Sequence, residues 1–304
     1  MRTIARTNQL AGIAVLAAGA LTLTACGGDS DPSSGGESKE IEIVAFDGWA
    51  EGIAVSHLWQ AILEDEGYDA KVTMGGEAGV VYTGIANGDY DIEFDSWLPI
   101  THETYIDQHG DSMEDLGYWY DNAKLTIAVN EDAPVTSLDE LAAAADQFGN
   151  AIVGIEPGAG LTRVTKEAAI PTYGLDGMEF TPSSTPAMLA ALKKATDAGE
   201  NVVVTLWRPH WAYDEFPVRD LEDPDGAMGD AEQIHTYARE GFTEDFPEVA
   251  DWVGNFWFAD DRLGELENLM FNENGGEKND ESARQWLEDN PDFVDQLKAG
   301  ELKS

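Results

Sequence analysis

Three tryptophans stand just beyond apolar runs that read as buried strands. Trp49 follows Ile41–Phe46, Trp97 follows Asp91–Asp95, and Trp207 follows Asn201–Leu206. An indole face carries negative quadrupole density, and several faces around one point form a cage for a cation. A quaternary ammonium suits such a cage, because it is permanently charged and has no N–H to donate. Each contact contributes about 0.5–2 kcal/mol. A single tryptophan at a strand end usually anchors a core or a loop. Three of them, in stretches of chain far apart, point to a site.

Two more features fit the opposite charge. Ile155-Glu-Pro-Gly-Ala-Gly-Leu-Thr162 places glycines at a strand-to-helix turn, where bare backbone N–H groups attract anions. The fragment lacks the Gly-Lys-Ser/Thr ending of a phosphate-binding P-loop, so a carboxylate is the fitting occupant. Alone, the turn reads equally well as purely structural. In Trp97-Leu-Pro-Ile-Thr-His102 the imidazole stands five residues after a cage tryptophan, within reach of the same ligand. Together these elements describe a zwitterion, with its cation among indoles and its carboxylate on backbone amides and His102.

The elements that must position these residues alternate. Ile41–Phe46 reads as a strand, Gly52–Glu66 as a helix, Ala70–Met74 as a strand, about Ala78–Asn87 as a helix and Asp91–Asp95 as a strand. That order describes an α/β layer with a mainly parallel sheet. Leu125–Val129 reads as a strand leaving it. Ser137-Leu-Asp-Glu140 matches a capping box opening a helix to Ala145. A second α/β unit follows, with strands at Ala151–Ile155, Gly177–Thr181 and Asn201–Leu206 and helices at Leu161–Ala169 and Thr185–Ala198, the last capped by Thr185 with Pro186 next. From about Asp230 the pattern turns helical. The expected fold is α/β and two-lobed, with a ligand in the cleft beyond the strands' carboxyl ends. Residues 41–130 with about 218–304 make the first lobe, and 131–217 the second.

The amino end addresses the chain outward. Arg2 and Arg6 precede a short apolar run, Leu10–Leu23, closed by Leu-Thr-Ala-Cys26. This is an export signal over residues 1–25 rather than a spanning helix. Its last four residues resemble a bacterial lipobox, which implies that Cys26, the only cysteine, carries a lipid and anchors the mature chain to the outer face of the cell membrane. Residues 26–40, glycine, serine and acid, read as a flexible tether. The formal charge of −42 comes without any basic stripe, which argues against nucleic acid and against direct adhesion to anionic lipid.

Catalytic signatures are missing. The chain has no Gly-x-Ser-x-Gly elbow, no His-Glu-x-x-His and no spare thiol. His57, His102, His109, His210 and His235 lack zinc-type spacing. Asp91, Glu93 and Asp95 are a carboxylate run in a chain where such runs are inevitable. No enzyme activity, metal or cofactor is expected.

Four separated segments carry a family resemblance: Gly48-Trp-Ala-Glu-Gly-Ile-Ala54, Asp95-Ser-Trp-Leu-Pro-Ile-Thr-His102, Gly154-Ile-Glu-Pro-Gly-Ala-Gly160 and Val204-Thr-Leu-Trp-Arg-Pro-His-Trp211. In this order they resemble the glycine betaine substrate-binding family of ABC importers, the OpuAC type, over nearly all the chain from Ile41. The resemblance implies a prism of Trp49, Trp97 and Trp207 around the trimethylammonium group. It also implies that the Gly160 and Leu161 amides and the His102 side chain hold the carboxylate. The implied partners are the importer's permease subunits, and the implied ligand is glycine betaine or a related zwitterion. Choline, carnitine, proline betaine and ectoine remain alternatives. Trp119 and Tyr120 read as lying under or beside the cleft, His210 and Trp211 as bracing the Trp207 loop, and Trp252, Trp257 and Trp286 as core.

Overall fold

The computed structural model describes residues 39–303. The expected signal segment, Cys26 and the tether as far as residue 38 lie outside the described residues. The last tether residue, Glu40, already opens a strand.

The first α/β unit follows its hydrophobic pattern. Strands β1 (Glu40–Ala45), β2 (Asp69–Met74) and β3 (Ile92–Leu98) alternate with helices α1 (Ala50–Asp65) and α2 (Ala78–Asn87). Strand β1 pairs in parallel with β2 and with β3. A short helix, α3 (Glu103–His109), then leads into β4 (Met113–Asn130), an 18-residue strand. Only Leu125–Val129 of β4 was expected. Its first half carries Asp115, Gly117 and Asp121 and shifts register repeatedly, which masks any period-two pattern.

Beyond β4 come α4 (Leu138–Leu141), β5 (Ala151–Val153), α5 (Gly160–Val164) and β6 (Glu179–Thr181). The helix Thr185–Ala198, β7 (Val203–Arg208) and β8 (Val218–Asp220) complete this unit. Strand β9 (Glu232–Arg239) lies where the sequence pattern predicts helix. It is antiparallel to β3 on one side and to β4 on the other, so pairing from both flanks overrides weak local signals.

The pairing resolves two sheets that share one strand. The first has the order β2-β1-β3-β9-β4, using β4 as far as Ala123. The second runs β4-β7-β5-β6, with β8 on the free side of β4, and takes β4 from Lys124 onward. The chain therefore changes sheets within β4, before residue 130.

Two predicted caps are corrected. Ser184, not Thr185, caps the helix Thr185–Ala198, its side chain accepting from the Ala187 N–H. Thr185 turns instead to Glu156, donating from its N–H at 2.6 Å and from its hydroxyl at 3.0 Å. Ser137 makes no side-chain cap to α4. Its hydroxyl donates to the Glu222 carbonyl, while Glu140 reaches back to the Thr136 N–H at 2.8 Å. In both cases a tertiary partner outcompetes the local one.

The C-terminal helices, Pro247–Asn255, Asp260–Glu267, Asn279–Asp289 and Phe293–Ala299, pack back on α1 and the first sheet. Trp59 of α1 is fully buried, stacked on Phe94 at 5.4 Å and edge-on to Phe256 at 5.4 Å. Trp286 joins Phe258 and Phe293 in the same core, and Trp252 is buried under Lys298. Trp257 is only half-buried, with Lys303 over its ring. Trp119 is buried and donates its indole N–H to the Phe94 carbonyl at 2.8 Å.

Removing Trp59 would leave a large void beneath the first sheet. Trp59→Ala is expected to lower unfolding stability by about 3–5 kcal/mol. Urea melts of the two proteins would check this, and a loss near zero would contradict the core described.

Candidate functional site

Each of the tryptophans singled out in the sequence is fixed by the end of a strand. Trp49 occupies the N-cap position of α1, after the turn that leaves β1. Trp97 is the last residue but one of β3, and Trp207 the last but one of β7. Strands β1 and β3 belong to the first sheet and β7 to the second, so the indoles approach from both sides. They meet on the wall of one small cavity.

His102, Gly160 and Leu161 line the same cavity. His102 is held at the start of α3. Its N–H donates to the Trp97 carbonyl, and its ring Nδ1 accepts from the Trp97 N–H at 2.9 Å. An Nδ1 that accepts leaves the proton of the neutral ring on Nε2. That N–H is buried and has no partner within the protein. Burial, with a smaller push from Arg163, lowers the His102 pKa to about 3, so the ring stays neutral near pH 7. The indole N–H of Trp49 is likewise buried without an acceptor, and the Trp49 ring stacks on His102 at 5.3 Å.

Gly160 opens α5, where the first backbone N–H groups have no acceptor within a helix. A Cβ at this position would stand 2.0 Å from the Thr101 carbonyl oxygen. Only glycine allows that approach between the two sides. Nearby bonds tie the same faces together. The Tyr105 hydroxyl donates to the Gly158 carbonyl at 2.7 Å, and Arg163 donates to the Ile100 carbonyl at 2.6 Å. On the first-sheet side, Glu232 accepts from the N–H groups of Ile100 at 2.7 Å and Thr101 at 2.8 Å, which pins the segment between Trp97 and His102.

The cavity has a wall residue that sequence reasoning passed over. Glu51, in the first turn of α1, is buried and accepts the Trp207 indole N–H at 2.9 Å. Behind it, Asp95 accepts the Trp97 indole N–H at 2.8 Å. Two of the indoles are thus gripped by buried carboxyl groups. Burial pushes Glu51 up to about 7, against the Trp207 bond, which favours the ionised form. Asp95 is likewise raised well above the usual carboxylate range, by burial first and then by Glu51 and Glu93. An acid in a helix's first turn ordinarily reads as a partner for the helix dipole, so nothing in the sequence marked Glu51. Thr101, Leu125, Ile155 and Ala159 complete the wall and were also not anticipated.

Other residues stand apart. His210 meets Trp207 edge-on at 4.5 Å, and its Nδ1 accepts from the Ala212 N–H, so it braces the Trp207 loop. Trp211 packs beside it, against Phe216. Tyr120 faces a second, polar cavity and bonds Asp260. Among the described residues, no cluster of His, Cys, Asp or Glu has metal-binding geometry, and no helix is long and apolar enough to cross a membrane.

Comparison with known proteins decides the family. Residues 39–289 match the OpuAC family, described as the substrate binding domain of ABC-type glycine betaine transport systems. The chain belongs to this family. A curated relative is the glycine betaine/carnitine transport binding protein GbuC of Listeria monocytogenes serotype 1/2a (strain 10403S), 38% identical over 152 residues. That match covers 49% of this chain and 49% of GbuC, so the chain spans about half the length of this relative. Lactococcal OpuAC, solved closed with glycine betaine, is 28% identical with a TM-score of 0.77, covering 85% of this chain and 98% of the other. ProX of Borrelia burgdorferi is 29% identical with a TM-score of 0.78, covering 86% and 99%. A choline-binding ABC-transporter protein, solved with choline, is 28% identical with a TM-score of 0.77, covering 86% and 92%. The two sheets joined through β4 are accordingly those of the α/β, two-lobed type II binding-protein fold.

The contact at Gly160 makes one outcome measurable. Gly160→Ala must separate the Thr101 carbonyl from α5, so ligand affinity is expected to fall at least about tenfold, or 1.4 kcal/mol. The melting temperature without ligand should change little if the two sides simply part. Wild-type affinity in this variant would mean that the approach is not needed for binding.

Proposed function

We propose that the protein is the extracytoplasmic solute-binding component of an ABC importer. It captures glycine betaine or a related quaternary-ammonium zwitterion, and delivers it to the importer's permease subunits. The observation that carries this reading is the cavity's composition. Three indole faces suit a cation that cannot donate hydrogen bonds, while the unpartnered His102 N–H lies on the same wall as the start of α5. A buried donor without an acceptor is costly, so an occupant with a carboxylate is favoured. Family membership and the solved glycine betaine complex of lactococcal OpuAC support the same assignment.

In this reading Trp49, Trp97 and Trp207 surround the ammonium group. The amides of Gly160 and Leu161 and the Nε2–H of His102 hold the carboxylate. The first lobe comprises residues from 41 into β4 together with most of about 218–304, and the second is centred on 131–217. Because both lobes contribute to one small cavity, ligand binding selects the closed arrangement over an open one. The protein acts as a receptor rather than an enzyme, with Cys26 carrying a lipid that tethers it to the outer face of the cell membrane.

Choline is a second reading, favoured by a specific feature. It shares the cation but lacks the carboxylate, and Glu51 presents an acid to the cavity. Calorimetric titration with glycine betaine and then choline separates the two. Micromolar betaine binding with weaker choline binding supports the zwitterion site, and tight choline binding alone removes the carboxylate contacts. Trp97→Ala is expected to weaken betaine binding at least about tenfold, or 1.4 kcal/mol; unchanged affinity would sink the cage.

A further inference from the structure

Glu51 is the acidic side chain on the cavity wall, and it has no cation to answer it. Among the described residues, neither Glu51 nor Asp95 takes part in a salt bridge. The groups facing Glu51 are acids from two other elements, Asp95 on β3 and Glu267 on the helix Asp260–Glu267. Behind these stand Glu93 next to Asp95 and Asp214 next to Glu267. The imidazoles nearby, His102 and His210, are kept neutral by burial. Asp95 lies hard against the first turn of α1: a Cβ at Gly52 would stand 2.4 Å from its Oδ2, and that oxygen has no hydrogen-bond partner.

Like charges this close, sealed from water, cannot all ionise. The indole N–H groups of Trp207 and Trp97 satisfy one oxygen on each of Glu51 and Asp95, and Asp95 Oδ2 is left without a partner. We propose that Glu51 is the specificity-determining counter-charge of the cage, and that a quaternary ammonium entering it displaces the proton held by the Glu51 carboxyl group. The exchange is balanced. A neutral carboxyl group loses its proton to solvent, and the carboxylate left behind faces the fixed positive charge of the ligand. A neutral solute of the same shape would find only a protonated acid. Cation selectivity is then set by the Glu51 carboxyl group as well as by the indoles, which hold the charge without ionising.

The inference rests on the reading that a cationic head group occupies the cage, and its sign follows from linkage. Binding that releases a proton strengthens as pH rises. With the Glu51 midpoint at about 7 in the empty protein, affinity should rise about tenfold from pH 6 to pH 8. His102 titrates far below this window. Glu93 is also raised to about 7, but its carboxylate serves Ser96 and the Asp95 N–H rather than the cavity.

Calorimetry of the purified protein with glycine betaine and with choline, at pH 6, 7 and 8 and in phosphate and Tris buffers, tests this directly. The expected result is a binding heat that depends on the buffer's ionisation, with close to one proton released at pH 6, together with the tenfold gain in affinity. Glu51→Gln keeps an acceptor for Trp207 and should bind at least about tenfold more weakly at pH 8, with a flat pH profile. Tight binding with buffer-independent heat and no pH dependence would overturn the proton exchange and leave the betaine reading intact. A Glu51→Gln variant that keeps the wild-type pH profile would assign the proton elsewhere and overturn the role of Glu51. Binding of neither ligand would remove the reading on which the proposal rests, and the proposal with it.

Discussion

The contact between Gly160 and the Thr101 carbonyl is the constraint on which the cavity depends. It brings the start of α5, in the second α/β unit, against a segment pinned to the first sheet by Glu232. With any side chain at 160 that approach is lost, and with it the joint wall. Because backbone meets backbone there, the α5 amides, His102 and the tryptophans of both sheets are brought to one small volume. The Tyr105–Gly158 and Arg163–Ile100 bonds act in the same direction, and all of them require the two faces to be together.

Strand β4 explains how one chain can present two such faces. A single strand that passes from the first sheet into the second couples them without a separate linker domain. The aromatic rings are then placed at the strand ends, Trp97 and Trp207 on the last residues but one of β3 and β7 and Trp49 at the start of α1. From there side chains can point into the space between the sheets. Behind the rings the molecule places acids rather than hydrocarbon. Glu51 and Asp95 orient the Trp207 and Trp97 indoles by their N–H groups and leave the indole faces free for a ligand.

Much of this was legible before any coordinates. The strand-helix alternation from Ile41 to Asp95 matched the observed elements within a few residues, because each run is short, apolar and bounded by turn residues. The three tryptophans, His102 and the glycine turn holding Gly160 were legible by type and spacing, Leu161 only through the family resemblance, and all line the cavity. Strand β9 was not, since its residues alternate only partly and its strand state comes from pairing on both flanks. The Ser137 and Thr185 caps failed for a related reason. Each side chain had a better partner distant in sequence, Glu222 for one and Glu156 for the other.

By itself, the sequence determined the chemistry available: aromatic faces for a cation, glycines for exposed amides, one imidazole beside them, and an α/β order that puts all of these at or just past strand ends. Those properties are local, belonging to a residue and its near neighbours in the chain. Tertiary structure alone decided which of the 59 acidic side chains would lose contact with water. Glu51 and Asp95 look like any other acids in the chain. Their charge state depends on the apolar enclosure and on each other, and those surroundings exist only once both sheets have assembled around them.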